Sequence, residues 1–115
     1  FRDIEEKICI ELLSRENCII SLGGGSIINK NIRKAIKQNS FAIYLQVKLN
    51  NLLSRIKSSK KRPLLNNNKN KKETLEVLYY QRRKFYEKAD FIVNNDKDKY
   101  QVLEKIITEL NSYAI

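Results

Sequence analysis

Histidine is absent from this chain of 115 residues, and cysteine occurs only twice, at Cys9 and Cys18. No histidine-containing zinc site can be built from such a sequence. Two thiols, one in a predicted helix and one in a predicted strand, make no disulfide framework. Both are expected to be reduced core thiols of a cytoplasmic protein. No apolar run approaches the length of a bilayer-spanning helix and no signal-peptide pattern opens the chain, so no membrane partner is expected. Proline occurs once, at Pro63, and all three glycines stand together at Gly23-Gly24-Gly25. Acidic residues are missing from the whole stretch between Arg55 and Lys72, and aromatic residues are missing between Tyr44 and Tyr79.

Apolar residues make up 42% of the sequence, which is enough for one small globular domain and too much for a disordered chain. The formal charge is +10, and the acid-free stretch from Arg55 to Lys72 carries much of it. Such a run is either a solvated surface or an anion site for phosphate, on a nucleotide or on nucleic acid. Without interleaved aromatics it offers bases no stacking platform, which argues against a nucleic-acid partner.

Periodicity predicts a helix over 3–14, with Ile4, Ile8, Cys9, Leu12 and Leu13 as its apolar stripe. The run 18–22 reads as a fully buried strand, 29–39 as a helix, 41–45 as a second buried strand and 50–56 as a short helix. The polar stretch 57–72 is long for a connection and reads as a functional loop. A helix over 73–86, a strand at 91–93 and a helix over 99–113 follow; the last has its stripe at Val102, Leu103, Ile106, Ile107 and Leu110. Helices alternating with strands that are apolar on both faces imply a parallel sheet covered by helices, the α/β class.

A strand that ends in three glycines and then Ser26 lays bare backbone N–H groups that a polar ligand can approach closely. A tight turn after a buried strand is the plainer explanation. Two charges also break the helical patterns. Leu75, Leu78 and Tyr79 define an inward face whose next position is Arg82, and Glu5 shares a face with Phe1, Ile8 and Leu12. A charge on an inward face must be paired or must line a polar cavity. Either Arg82 and Glu5 form an internal ion pair, or Arg82 grips an anionic ligand with that carboxylate holding it; the two are compatible.

These residues resemble a known family. Phe1-Arg2-Asp3-Ile4-Glu5 is similar to the F-R-x-x-E motif of shikimate kinases, and Gly23-Gly24-Gly25-Ser26 to their glycine triplet. Arg62-Pro63-Leu64-Leu65 resembles their lid motif, and the segment from Arg82 through Tyr86 to Ala89-Asp90 resembles their R-x-x-x-Y segment. Order and spacing agree along essentially the whole chain. The resemblance implies a P-loop kinase fold of the nucleoside-monophosphate-kinase type. It also implies transfer of the γ-phosphoryl group of ATP to a hydroxyl of shikimate, with Mg²⁺, by a protein that is monomeric when complete. By position, Arg2 and Arg82 would bind the shikimate carboxylate, and Glu5 would orient Arg82. The amides of the Gly23–Gly25 triplet would meet the shikimate oxygens, and Phe1 would line the pocket. Arg62, on a lid at about 57–72, would face the phosphates as the catalytic cation, and Arg55 would stack on adenine. Tyr100 and Lys84 stand where many members of the family carry prolines.

The phosphate-cradling motif G-x-x-x-x-G-K-[ST] occurs nowhere, and no metal ligand is identified. The expectation is therefore an incomplete kinase fold, with residues 1–115 forming a single partial domain, inactive alone, whose P-loop and Mg²⁺ ligands lie outside it. A gluconate-kinase-type enzyme of the same fold is the alternative, and a basic nucleic-acid-binding module is a further one.

Overall fold

Among the residues that the computed structural model describes, 1–57, 71–96 and 98–113, two strands and five α-helices form. Their order is α1 (Arg2–Leu13), a 3₁₀ turn (Ser26–Ile28), α2 (Lys30–Asn39), β1 (Ile43–Gln46), α3 (Leu49–Lys57), α4 (Lys71–Tyr86), β2 (Phe91–Asn94) and α5 (Lys99–Tyr113). The strands pair in parallel, Ile43 opposite Phe91 and Gln46 opposite Asn94. A parallel pair needs a crossover connection, which α3 and α4 provide. The α/β class and the parallel pairing are as the sequence implies.

Local chemistry sets the element ends. Asp3 and Glu5 place negative charge in the first turn of α1, where the helix dipole favours it. Asn29 caps α2: its side-chain oxygen accepts from the N–H groups of Asn31 and Ile32 at 2.8 and 3.0 Å. At the other end, Ser40 Oγ donates to the Ile36 carbonyl at 2.7 Å. Asn29→Ala should cost about 1 kcal/mol of stability, read as a lowered urea midpoint at an unchanged m-value. Cys9, Leu13, Ile32 and Ala35 form the core between α1 and α2, and Ile20, Leu22 and Ile36 pack against it. Val47, Val93 and Val102 are buried beside the sheet, where α5 packs on β2.

The ends of the β1–β2 ladder are held by two aspartates. Asp90 accepts from the Ala42 N–H at 2.7 Å, while the Phe91 N–H donates to the Ala42 carbonyl at 3.1 Å. At the far end Asp96 accepts from the Lys48 N–H at 3.1 Å and from Asn51 Nδ2 at 2.6 Å. The Asn51 hydrogen bond holds the Asp96 carboxyl below its ordinary value of 3.8, with smaller help from the Lys48 N–H and from nearby Lys48 and Arg55. A depressed carboxyl stabilises the fold above its unfolded pKa, and that contribution is lost as pH falls through the ordinary value toward the lower one. Asp96→Asn should therefore flatten part of the acid limb of a stability-versus-pH profile.

Four expectations are corrected. Residues 18–22 form no strand: among the described residues no chain lies alongside to complete a ladder, and Ile19 is 97% exposed. The segment keeps a strand's alternation, with Ile20 and Leu22 turned to the core. Cys18 is exposed, so only Cys9 is a core thiol. The stripe of α1 is half used, since Cys9 and Leu13 are buried while Ile4 and Ile8 are exposed. On α5 Val102 is buried, whereas Leu103, Ile107 and Leu110 are exposed.

Candidate functional site

The segment 18–22 delivers the glycines to the edge of the α1–α2 core, and the 3₁₀ turn follows at once. The Ser26 N–H donates to the Gly23 carbonyl at 3.1 Å, and Ser26 is buried. None of the three glycines has a positive φ, and Gly25 lies at φ −95°, ψ −7°. Any L-residue adopts those angles. A tight turn therefore does not account for the glycines; what surrounds them does. A β-carbon on Gly24 would stand 2.9 Å from Arg82 Nη1. One on Gly25 would stand 2.8 Å from Arg2 Nη2 and 3.0 Å from Arg2 Nη1, and one on Gly23 would stand 3.8 Å from Glu5 Oε2. The missing side chains of Gly24 and Gly25 make room for two guanidinium groups, whereas a β-carbon on Gly23 would make only ordinary contact with the Glu5 carboxylate.

Residues far apart in sequence thus converge: Arg2 and Glu5 from α1, Gly23 to Gly25 from the turn, and Arg82 from α4. Within this cluster Glu5, its side chain 15% exposed, pairs with Arg2 at 2.7 Å. The Arg82–Glu5 ion pair, one of the two readings left open for these inward charges, does not form; Arg2, one turn away on the same helix, takes the carboxylate. Among the described residues Arg82 makes no ion pair within 4.0 Å, and its positive charge acts on the Tyr86 phenol. Tyr86 Oη in turn donates to the Gly24 carbonyl at 2.5 Å. Phe1 caps α1 and is 89% exposed, with the Arg2 guanidinium 5.8 Å from its ring centre.

A second group lies just past the carboxyl ends of β1 and β2. From α3, Arg55 Nη2 donates to the Asn95 carbonyl at 3.1 Å, and Asp96 and Asn51 stand beside it. Crevices outside the carboxyl ends of parallel strands are where open α/β sheets bind ligands. Tyr100 is exposed at the start of α5. Arg62 and residues 58–70 of the expected lid lie outside the described residues. A broad open hollow on α4, lined by Glu73, Val77 and Tyr80, shares no residue with the glycine cluster.

Sequence reasoning assigned no role to Arg33. Its Nη1 donates to the carbonyls of Ile27 and Ile28 at 3.1 and 2.6 Å, and its guanidinium lies 4.1 Å from the Phe85 ring centre. It pins the 3₁₀ turn against α4, which carries Arg82. An arginine inside the amphipathic α2 reads as an ordinary solvated charge, so nothing in the sequence marked it.

A parallel strand pair with a helical crossover, and a glycine turn rimmed by arginines, make an α/β protein, and its structural neighbours give it the P-loop kinase fold. A shikimate kinase from Acinetobacter baumannii solved in complex with shikimate superposes with a TM-score of 0.85 at 29% identity, covering 98% of this chain and 64% of that one. Shikimate kinase from Aquifex aeolicus superposes with a TM-score of 0.80 at 31% identity, covering 100% of this chain and 67% of that one. The family model described as shikimate kinase matches residues 1–111, and the chain belongs to the shikimate kinase family. The shikimate kinase of Bartonella henselae is 35% identical over 114 residues, 98% of this chain, and the chain spans 54% of that relative's length.

Proposed function

We propose that this chain supplies the acceptor site of an enzyme that transfers the γ-phosphoryl group of ATP to a hydroxyl of shikimate. One observation carries this reading: the Arg2 and Arg82 guanidiniums close on Gly25 and Gly24, where only missing β-carbons leave room for them. Two planar cations beside open backbone amides suit a small molecule that bears one carboxylate and several hydroxyls. Arg82, with no carboxylate partner among the described residues, is the cation left to grip the ligand. Arg2, already bound to Glu5, is held in place by it.

In this reading Arg55 flanks the nucleotide base beyond the strand ends, and Arg62 on the 57–72 segment neutralises charge on the transferring phosphoryl group. ATP brings the phosphoryl group, and Mg²⁺ offsets charge on its phosphates. Among the described residues no group of Asp, Glu, Cys or His fits a metal ion, and the chain has no P-loop motif. In this reading the phosphate cradle and the Mg²⁺ ligands belong to residues outside this partial domain. The complete enzyme is read as a cytoplasmic monomer without a nucleic-acid partner.

The test is a coupled ATP-turnover assay on the full-length protein, with shikimate and gluconate as alternative acceptors. Turnover that depends on shikimate supports the reading, whereas turnover with gluconate alone, or with neither, overturns it. Clear shikimate-dependent turnover by the 115 residues alone would sink the assignment of the phosphate cradle to residues outside them.

A further inference from the structure

Tyr86 closes a path between parts of the site that the sequence keeps 62 residues apart. Its ring stacks on Tyr44 of β1, with centroids 5.1 Å apart and planes 29° from parallel. Its hydroxyl donates to the Gly24 carbonyl, and both that hydroxyl and the Arg82 guanidinium, one turn earlier on α4, stand within 4.0 Å of where a Gly24 β-carbon would lie. Burial pushes the phenol pKa up, and the nearby Arg82 charge only partly opposes this. At neutral pH the group is therefore a protonated donor.

The bond to Gly24 decides which way a peptide faces. No cis peptide occurs among the described residues, so the Gly24 carbonyl and the Gly25 N–H point in opposite directions across their shared plane. Tying the carbonyl to α4 turns the Gly25 N–H away from it. That N–H donates to no acceptor among the described residues, and neither does the N–H of Gly24. A peptide between two glycines is also the easiest kind to rotate, because neither side has a β-carbon to resist. Rotated by half a turn, it would present a carbonyl oxygen where an anionic ligand needs a donor.

We propose that Tyr86 is a positioning residue of the acceptor site, latching the Gly24–Gly25 peptide with its N–H toward the ligand. The proposal rests on the acceptor-site reading above. It concerns one hydroxyl: the ring would stay stacked on Tyr44 without it.

The decisive experiment compares Tyr86→Phe with wild type in the full-length protein, by steady-state kinetics in shikimate and in ATP and by thermal denaturation. Losing the latch leaves the Gly24 carbonyl unpaired and the Gly24–Gly25 peptide free to rotate, which should raise the shikimate KM about tenfold. The ATP KM should stay within twofold of wild type, as should kcat, and Tm should hold within about 2 °C. A shikimate KM equal to wild type's overturns the proposal, whatever kcat does. A rise shared equally by both KM values together with a fallen Tm also overturns it, because the hydroxyl would then be structural. Wild-type protein that neither binds shikimate in a calorimetric titration nor phosphorylates it overturns the proposed function, and this inference with it. Wild-type activity with an unaltered Tyr86→Phe variant removes this inference alone.

Discussion

Arg82→Leu should lower kcat/KM for shikimate in the full-length protein by roughly 100- to 1,000-fold, most of it through KM. Arg82 is half-buried on α4, and its guanidinium stands beside Gly24 with no carboxylate within 4.0 Å among the described residues. A cation that a fold does not neutralise internally, in a chain of net charge +10, adds nothing to stability by its charge. In the proposed acceptor site its use is toward an anion. The carboxylate of an acceptor lies away from the hydroxyl that reacts, so the grip acts on ground state and transition state alike and its loss falls on KM. The same variant should keep its Tm or gain slightly. Kinetics at saturating ATP with varied shikimate, paired with thermal denaturation, separate these effects. Arg82→Lys should restore only part of the loss, since an ammonium cannot make the planar two-point contact of a guanidinium. A large fall in Tm with unchanged KM would assign Arg82 to the fold instead.

Gly25→Ala should cost about 30- to 100-fold in kcat/KM for shikimate while leaving the fold at least as stable. At φ −95°, ψ −7° an alanine is unstrained. Replacing glycine where alanine fits typically stabilises by about 0.4–1 kcal/mol through the unfolded chain. The new methyl group, however, would stand 2.8, 3.0 and 3.3 Å from three atoms of the Arg2 guanidinium. Being the end of a flexible side chain, that group swings aside, and its 2.7 Å contact with Glu5 is lost. The expected signature is a variant with wild-type Tm and a weakened shikimate KM. If Gly25→Ala instead lowers Tm by several degrees with KM intact, the glycine serves the backbone and the guanidinium argument fails.

Much of this was legible in the sequence, for reasons that differ from residue to residue. Helices such as α2 and α4 were placed to within a few residues because an apolar stripe must face a core. Arg82 was legible as an interruption of the stripe set by Leu75, Leu78 and Tyr79. The glycines were legible because they are concentrated, though only the structure separates the need for space from the need to turn. Partner choice was not legible. Periodicity set Glu5 opposite Arg82, but Arg2 on the same helix was already within reach of the carboxylate. Nor was 18–22 legible as an unpaired segment, since an apolar run says that residues are buried or extended and not that a neighbouring strand exists. The contacts of Tyr86, Asp90 and Asp96 span 62, 48 and 48 residues, and no local pattern encodes bonds of that reach.

The two aspartates at the ends of the β1–β2 ladder bear on how such a short sheet avoids mispairing. A shift of one residue would turn buried Val93 outward, so hydrophobic burial alone rejects it. A shift of two residues keeps every side chain on its own face, and in four-residue strands burial discriminates against it only weakly. That shift would carry Asp90 about 7 Å from the Ala42 N–H, and Asp96 as far from Lys48 and Asn51. Both carboxylates would lose their donors together. These two carboxylates can thus select which of two nearly degenerate alignments the sheet adopts.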